Sequence, residues 1–404
     1  MSKWNVDKLG NLCSAIYSGG TPATSHPEFW NGRYNWLSSG ETSNRYIIKT
    51  EKTITQEGIN GSATKLAKEG SLVMASAGQG KTRGQASILK CDTYINQSII
   101  ALVGKRNLLD TTFLFYNMMM RYNELRVRSD ASSTRGSITT DMLKKLPILL
   151  PDLFTQKHIV EILSAYDDLI EANNRRIELL EKAAQELYKE WFVRFRFPGH
   201  EKVKFENGLP EGWKRNQIQI YYNTCSGGTP SRSKSEYFKN GIYPWVKTGE
   251  IKDCVIIDTE EYITKEAVDN SSAKILPAKS VAMAMYGVNI GLLAYFDGEM
   301  TCNQACCVFS DKRNFSSRHY LYQYLKSIRE YLLLISFGAA QQNLSQDLIK
   351  KIKITMPTDD IVILFEKQVD EIYNNIRILL MKNKNLTVQR DLLLPRLMSG
   401  KLEV

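Results

Sequence analysis

The longest hydrophobic pattern in the chain is a heptad repeat over residues 153–191. Apolar residues recur there at alternating steps of four and three, the spacing of a helix that buries one stripe against a partner helix. The positions are Ile159, Leu163, Tyr166, Ile170, Ile177, Leu180, Ala184, Leu187 and Trp191, with Asn173 in the single polar slot. The pattern predicts one long helix in the middle of the chain.

A second heptad pattern, over residues 361–397, repeats the first, and each position lies 206 residues after its counterpart. Its positions are Phe365, Val369, Ile372, Ile376, Leu379, Asn383, Leu386, Arg390, Leu393 and Leu397. We expect the two helices to pair with each other, antiparallel and about a pseudo-twofold axis. Asn173 would then face Asn383 and fix the helix register. The alternative is that each Asn only tolerates a wet position.

The segments before each heptad pattern alternate short β-like runs with turn residues. In the first segment the predicted strands are residues 46–49, 53–55, 71–75 and 94–103, followed by a helix over 111–126, a polar loop over 129–137, a short helix over 139–146 and a strand ending at Pro151. The second segment repeats this order, with Ser-Gly-Gly-Thr-Pro at 18–22 and 226–230 and Trp-x-x-x-Gly-Glu at 36–41 and 245–250. The chain is therefore a tandem duplication of a unit of roughly 200 residues.

The duplication predicts an α+β protein with an internal pseudo-twofold repeat. Two domains of mixed strands and short helices are separated by two long antiparallel coiled-coil helices. The predicted boundaries are 1–151 for the first domain, 152–198 for the first helix, 199–357 for the second domain and 358–404 for the second helix. The two domains share turn residues and aromatic positions, whereas residues 77–85 and 129–137 differ from their counterparts at 286–291 and 336–342.

Composition favours an ordinary globular protein with an anionic partner. The 404 residues are 43% hydrophobic and 24% charged, with a net charge of +10 and a pI of about 9.0. Nucleic acid is the first candidate for that partner. Seven scattered cysteines without a CxxC pair indicate reduced thiols in a cytoplasm. The apolar runs are too short to span a bilayer, so no membrane is expected.

The sequence contains no pattern that predicts catalysis or a bound metal. Residues 75–82, Ala-Ser-Ala-Gly-Gln-Gly-Lys-Thr, resemble a phosphate-binding loop, but Ala75 replaces its first glycine and residues 83–89 are typical of a turn and a strand rather than a helix. The four histidines lie in separate segments, and the Asn-Pro-Pro-Tyr motif of amino-methyltransferases is absent. We expect a chain that binds and positions while partners carry out the chemistry.

The repeated motifs resemble those of the specificity subunits of type I restriction–modification systems. The resemblance covers the whole chain and includes the twin motifs above, Leu-Pro-Glu-Gly-Trp at 209–213 and the ends of both heptad helices at 187–198 and 390–400. The starts of the helices differ, because Thr-Asp-Asp-Ile at 358–361 does not match residues 152–157. The resemblance implies a non-catalytic subunit that recognises a bipartite, asymmetric site in double-stranded DNA, with the paired helices keeping its two recognition domains at a fixed spacing.

The resemblance also implies partner subunits. Two methyltransferase subunits would dock on the helices and restriction–translocase subunits would join them, so S-adenosylmethionine and ATP are expected in those partners and no cofactor in this chain. The predicted docking residues lie mostly off the heptad seam of the first helix; they are Arg175, Arg176, Lys182, Gln185 and Lys189. The alternative is that these residues form a solvated face.

Loop residues with hydrogen-bonding side chains are the candidates for DNA contact. They are Lys81, Arg83, Arg126, Arg128 and Arg135 in the first domain and Tyr286, Asn289, Gln341 and Gln342 in the second. Three other functions remain open: a P-loop ATPase or nuclease, a scaffold that binds DNA without sequence preference, and the recognition subunit of a related phage-defence system. ATPase activity that depends on Lys81 would favour the first of these.

Overall fold

The computed structural model describes residues 4–78, 80–132, 136–336 and 343–404. The strands of the first repeat are β1 (Asn5–Lys8), β2 (Cys13–Ser18), β3 (Trp30–Leu37), β4 (Tyr46–Ile47), β5 (Lys52–Ile54), β6 (Lys65–Ala67), β7 (Leu72–Ala75), β8 (Ala86–Leu89), β9 (Thr93–Ile95), β10 (Ile99–Gly104) and β11 (Pro147–Leu150). Its helices are α1 (Leu9–Leu12), α2 (Gln56–Asn60), α3 (Thr111–Met120), α4 (Tyr122–Ser132), α5 (Thr140–Lys144) and α6 (Leu153–Tyr188).

The second repeat follows the order of the first with two exceptions. Its strands are β12 (Phe205–Glu206), β13 (Leu209–Pro210), β14 (Lys214–Gln217), β15 (Tyr222–Ser226), β16 (Tyr243–Val246), β17 (Cys254–Ile256), β18 (Tyr262–Ile263), β19 (Val281–Ala284), β20 (Leu293–Phe296), β21 (Thr301–Cys302), β22 (Cys306–Asp311) and β23 (Lys353–Met356). Its helices are α7 (Ile218–Tyr221), α8 (Lys265–Asp269), α9 (Arg318–Ser327), α10 (Arg329–Ser336), α11 (Gln346–Lys351) and α12 (Asp359–Met398). The exceptions are the hairpin β12–β13, which precedes the repeat, and the described segment between α8 and β19, which contains no strand in the place of β6.

The main sheets of the two repeats have the same topology. The strand order is β2-β10-β7-β8-β4 in the first and β15-β22-β19-β20-β17 in the second. In both sheets the last strand is parallel to its neighbour and the other pairs are antiparallel. Their buried strands are short apolar runs such as Leu72–Ala75, because both faces of the sheet are covered. The predicted α+β class and internal repeat are confirmed.

Internal contacts divide the chain into two units. One contains Met1–Ile170 and Asn385–Val404, and the other contains Glu171–Lys384. In the first unit, Ile159 and Leu163 of α6 share a buried core with Leu394 and Leu397 of α12. In the second unit, the ring of Trp191, just beyond α6, packs on the ring of Phe365 in α12 at 5.7 Å. Parts of both long helices therefore contribute to each core.

The heptad seam positions are buried or half-buried along both helices. Within the second unit, Asn173 near the middle of α6 contacts Asn383 of α12, and Trp191 after the end of α6 contacts Phe365 near the start of α12. The two helices therefore run antiparallel in that unit. None of the helices in the described part of the chain combines the length and apolar character needed to cross a bilayer.

Three local predictions were wrong. The helix predicted over 111–126 is two helices, α3 and α4, separated at Arg121. The loop predicted from Ser129 is helical to Ser132, because α4 continues into it. The strand predicted over 94–103 is interrupted between β9 and β10, where the Asn96 side chain accepts a hydrogen bond from the Ser98 amide at 2.9 Å and forms a turn.

Candidate nucleic-acid interface

The first loop, residues 77–85, follows β7. Backbone hydrogen bonds at Ser76 hold its start in place and form what we call its frame. At its start, the Ser76 amide donates to the Ser98 carbonyl at 2.8 Å. The Ile138 amide in turn donates to the Ser76 carbonyl at 2.9 Å, so the segment after α4 returns to the same point. Because these bonds involve only main-chain atoms, the frame does not depend on the side chains in the loops.

The second repeat has an equivalent frame. Its Met285 amide donates to the Ala305 carbonyl at 2.8 Å, and the Leu344 amide donates to the Met285 carbonyl at 3.0 Å. The framed sequences themselves are unlike in the two repeats. Residues 77–85 include Lys81 and Arg83, whereas residues 286–291 contain neither Lys nor Arg. One scaffold therefore presents two chemically different loops.

Arg83 holds the first loop against α4. Its Nη2 contacts Asp130 Oδ1 at 2.7 Å, and only 10% of the Arg83 side chain is exposed. The pair packs on Gly136, where a Cβ atom would lie 1.7 Å from Arg83 Nη1. To reach a DNA base, Arg83 would have to leave Asp130, so its position favours a structural role over the base contact predicted from the sequence.

Arg126 holds the backbone of the same loop. Its Nη1 donates to the Arg83 carbonyl at 3.0 Å and lies 3.1 Å from the Tyr122 hydroxyl. Tyr122 donates to the Lys81 carbonyl at 2.7 Å. Arg126 and Tyr122 thereby fix the backbone on either side of Thr82. This geometry also explains why α4 is a separate helix from α3, since tertiary contacts override local helix propensity.

The remaining cations of the first loop region are more accessible. Lys81 is exposed, with its backbone held by Tyr122. Arg128 is half exposed, and its Nη2 contacts Glu124 Oε1 at 2.8 Å along α4. Such a surface pair contributes little to stability, so a phosphate can replace the carboxylate at low cost. Arg135 lies outside the described residues.

In the second repeat, Asn289 ties its loop to the scaffold. Its Nδ2 donates to the Thr248 carbonyl at 2.8 Å and to the Ile251 carbonyl at 3.2 Å. Thr248 lies within the repeated Trp-x-x-x-Gly-Glu motif, and Ile251 directly follows it. The side-chain amide of Asn289 therefore already donates hydrogen bonds within the protein, which argues against the predicted base contact through its Nδ2.

Arg329 performs in the second repeat the task that Arg126 performs in the first. It donates from Nε to the Gly291 carbonyl at 3.1 Å, and its Nη1 contacts Asp253 Oδ2 at 2.6 Å. Asp253 also accepts from the Leu293 amide at 3.0 Å. Neither residue was predicted from the sequence, because they lie 76 positions apart and no spacing pattern joins them.

The tip of the second loop is exposed and apolar. Tyr286 is 38% exposed, and Val288 is fully exposed at 101%. An exposed valine at a loop tip is suited to contact the methyl group of thymine, and the tyrosine adds a hydroxyl donor. Val288 was not predicted, because only side chains with hydrogen-bonding groups were candidates. Gln341 and Gln342 lie outside the described residues.

The repeated Gly-Gly-Thr-Pro motifs are structural. A Cβ on Gly19 or Gly227 would lie 1.9 Å from a carbonyl oxygen, of Ile95 and Cys302 respectively, so only glycine fits. The neighbouring tryptophans are buried, and the indole of Trp36 donates to the Gly20 carbonyl at 3.3 Å. The motif therefore has a structural role, and Trp36 and Trp245 are both core residues.

The segment that resembles a phosphate-binding loop does not have that fold. After Thr82 the chain enters strand β8, whereas a phosphate-binding loop leads directly into the N-terminus of a helix. No group of three or more His, Cys, Asp or Glu side chains is placed to hold a metal ion within residues 4–78, 80–132, 136–336 and 343–404.

The predicted docking residues lie along the second half of α6 and, for Lys189, directly after its end, all in the second unit. Arg175 and Arg176 are exposed, and Arg175 contacts Glu178 at 2.9 Å. Lys189 contacts Glu186 at 2.8 Å, while Lys182 is exposed and Gln185 half-buried. Beside Arg176 lies a groove between α6 and α12 of about 500 Å³. The groove is lined by Leu179, Leu180, Asn375, Ile378, Leu379 and Lys382.

Comparisons with known proteins cover the whole chain. The model of the type I restriction modification DNA specificity domain matches residues 1–182 and 210–386. The type I restriction enzyme MjaIX specificity subunit of Methanocaldococcus jannaschii is 24% identical over 414 residues, covering 99% of this chain and 94% of that protein. The HindI specificity subunit of Haemophilus influenzae is 25% identical over 471 residues and is covered in full, as is this chain.

A solved structure supports the same fold. The S subunit of a type I restriction–modification system from M. genitalium matches with a TM-score of 0.57 and 16% sequence identity. The match covers 98% of this chain and 96% of that one.

Proposed function

This chain belongs to the type I restriction–modification DNA specificity family, and we propose that it reads the DNA sequence for a type I restriction–modification complex. Each repeat recognises one half of a bipartite, asymmetric site in double-stranded DNA. The lengths of α6 and α12 determine the gap between the two half-sites. The net charge of +10 supports an anionic partner.

The observation that carries this proposal is the pair of equivalent frames around unlike loops. Main-chain hydrogen bonds at Ser76 and Met285 hold the two loops in the same way. The first loop presents the cation Lys81, and the second presents Tyr286 and Val288. Phosphate contacts carry no sequence information, so binding to the DNA backbone alone would not call for different side chains in the two loops. Different chemistry on one scaffold favours two different half-sites.

We further propose that partner subunits supply methylation, translocation and cleavage, together with S-adenosylmethionine and ATP. The strand that follows Thr82 supports this division, because the nucleotide-binding loop requires a helix there. Two methyltransferase subunits dock on the outer side of α6, where Arg175, Arg176, Lys182, Gln185 and Lys189 lie. Exposed Leu179 and Ile378 beside them, at 52% and 41%, add the apolar area that a protein interface needs.

The cytoplasm is the proposed location of the complex. All seven cysteines are free. Burial raises the pKa of the Cys13 thiol to about 11, which keeps it protonated and unreactive at neutral pH. Free cysteines are typical of a reducing compartment.

The decisive experiment maps methylated bases in cells that carry this chain with its methyltransferase partner. The expected result is one bipartite motif with a fixed gap. Exchanging residues 286–291 for those of another family member should change one half of the motif and leave the other half and the gap unchanged. Exchanging residues 77–85 is the matched control and should change the other half instead.

Two outcomes would favour other functions. Methylation without a motif would favour a scaffold that binds DNA without sequence preference. A bipartite motif without methyltransferase and translocase genes beside this one would favour a related phage-defence system.

A further inference from the structure

The seam between α6 and α12 contains a buried charged pair in the first unit. Arg390 Nη1 contacts Asp167 Oδ1, and the two side chains are 16% and 9% exposed. Tyr116 donates from its hydroxyl to Asp167 Oδ2 at 2.6 Å. Both oxygens of the carboxylate are therefore bonded, so this pair satisfies the requirement for burying a charge.

The seam also contains a buried amide pair in the second unit. Asn173 donates from Nδ2 to Asn383 Oδ1 at 2.8 Å, and Asn383 donates to Asn174 Oδ1 at 2.8 Å. Asn173 and Asn383 are 9% and 8% exposed. Each polar residue of the seam thus finds a polar partner on the other helix.

The internal repeat shows what stands at the corresponding positions. The counterpart of Asp167 in α12 is Tyr373, and the counterpart of Arg390 in α6 is Ala184. Both are buried in the hydrophobic core of the second unit. A charged pair in one unit is therefore replaced by an apolar pair in the other.

The amide pair follows the same rule. The counterpart of Asn173 in α12 is Leu379, and the counterpart of Asn383 in α6 is Ile177. Leu379 is buried and Ile177 is half-buried. The flanking seam residues are identical in the two helices at Ile170 and Ile376, at Leu180 and Leu386, and at Leu187 and Leu393. These positions therefore do not distinguish α12 from a second copy of α6.

Two copies of α6, placed in the same antiparallel register, would remove the partner that Asp167 and Asn173 each have on the other helix. Asp167 would face Ala184 of the other copy, and Asn173 would face Ile177. Two copies of α12 would be equally mismatched, because Arg390 would face Tyr373 and Asn383 would face Leu379. A buried charge without its counter-charge and a buried amide without its hydrogen bond both destabilise a helix seam strongly.

We propose that these polar pairs form a partner-selection code in the seam. The code directs α6 to α12 and rejects a second copy of α6, so the two repeats recognise each other rather than themselves. The residues that carry the code are Asp167, Asn173, Asn383 and Arg390. Their apolar counterparts are equally necessary, because they make the wrong pairing costly.

The test measures which fragments pair when the two repeats are separated and allowed to associate freely. A protease site is inserted between Asn207 and Gly208, which form the exposed turn between β12 and β13. The full chain is purified, cut after folding, denatured and renatured, and native mass spectrometry then gives the composition of the particles. Particles with one copy of each fragment should exceed those with two copies of 1–207 by at least about tenfold. Equal abundance would overturn the proposal.

A variant without the code provides the comparison. Asp167→Tyr, Asn173→Leu, Asn383→Ile and Arg390→Ala give each position the residue of its counterpart. Both seams then carry the same apolar residues at these positions, so the ratio of mixed particles to particles with two copies of 1–207 should fall to the value that random pairing gives. An unchanged ratio in this variant would contradict the code.

A charge-exchanged variant keeps the number of polar groups constant. Asp167→Arg with Arg390→Asp preserves the pair but reverses its direction. When its fragments are renatured together with wild-type fragments, matched combinations should exceed mismatched ones by about tenfold, because mismatched seams place like charges together. A random mixture would overturn the proposal. If either variant does not refold, the ratio of mixed to identical particles in the wild-type protein still supports or overturns the code.

Discussion

Asn173 donates a hydrogen bond from its side-chain amide to the side-chain oxygen of Asn383, across the α6–α12 seam of the second unit. Asn383 in turn donates to Asn174, so the two buried amides are hydrogen-bonded in a seam that is otherwise mostly apolar. Removing one of them leaves the other with an unpaired group, whereas removing both leaves a continuous hydrophobic seam.

We therefore expect the single and double substitutions to act in opposite directions. Asn173→Leu should lower the free energy of unfolding by about 1–3 kcal/mol, because the Asn383 oxygen loses its donor. Adding Asn383→Ile should recover the lost free energy of unfolding or raise it above the wild-type value. Urea unfolding of the three proteins measures both effects. Asn374→Leu, on the exposed side of α12, is the control and should change stability by less than about 0.5 kcal/mol. Additive losses in the double variant would contradict this prediction.

Two neighbouring cations of the first loop should give different phenotypes. Arg83→Ala removes the contact with Asp130 and the support of the loop, so it should lower both the melting temperature and DNA affinity. Lys81→Ala removes an exposed charge and should leave the melting temperature unchanged. It should weaken DNA binding by the methyltransferase complex and reduce the slope of log affinity against log salt by about 1. Titrations at several salt concentrations distinguish the two cases. A normal melting temperature in Arg83→Ala would refute the structural role.

The exposed tip of the second loop should control one half-site. Val288→Ser changes a fully exposed side chain, so stability should stay within about 0.5 kcal/mol of wild type. The methylation motif should relax at a position in the half-site read by the second repeat. Mapping methylated bases measures this change, and Val127→Ser, an exposed valine of α4 in the first repeat, is the control. A change in the other half of the motif would contradict the assignment.

Gly227 should not tolerate even a methyl group. Gly227→Ala places a Cβ 1.9 Å from the Cys302 carbonyl oxygen, so the turn or the strand must move, at a cost of roughly 1–3 kcal/mol. Gly249→Ala is the matched control, because no atom lies within 4 Å of its Cβ position. Thermal unfolding of the two variants should show a clear loss only for Gly227→Ala.

His319 should make the second unit sensitive to acid. Burial lowers the pKa of His319 to about 4, despite its hydrogen bond to Asp370. The unfolded chain has an ordinary histidine pKa of about 6.5 and so binds the proton first. The contribution of His319 to the free energy of unfolding is complete above pH 6.5. It falls by roughly 1.4 kcal/mol per pH unit as the pH decreases toward 4.

The comparison with His319→Gln isolates this effect. Burial raises the pKa of nearby Glu366, which acts in the opposite direction as the pH falls, but Glu366 is present in both proteins. Urea unfolding at pH values from 7.5 to 4.5 should therefore show wild type losing more stability than the variant. Parallel pH profiles of the two proteins would show that the pKa of His319 is the same in the folded and unfolded states.

The sequence was sufficient for the long helices and the duplication but not for the loops. A heptad period is a local pattern, and the offset of 206 is found by comparing two such segments directly. The apolar seam positions of both helices are buried or half-buried, as the pattern predicts. The loops depend instead on contacts such as Arg126 with the Arg83 carbonyl, 43 positions away. No spacing rule predicts such a pair, and for the same reason the break between α3 and α4 could not be foreseen.

The main-chain frames at Ser76 and Met285 also determine where new loops can be joined. Since an amide and a carbonyl are present in any residue except for the missing amide of proline, the hydrogen bonds that close each frame survive replacement of the sequence between them. Residues 77–85 and 286–291 can thus diverge without loss of the main-chain bonds that frame them. In an evolving population, a recombination event at these borders would yield a new specificity in a single step while the rest of the chain stayed the same.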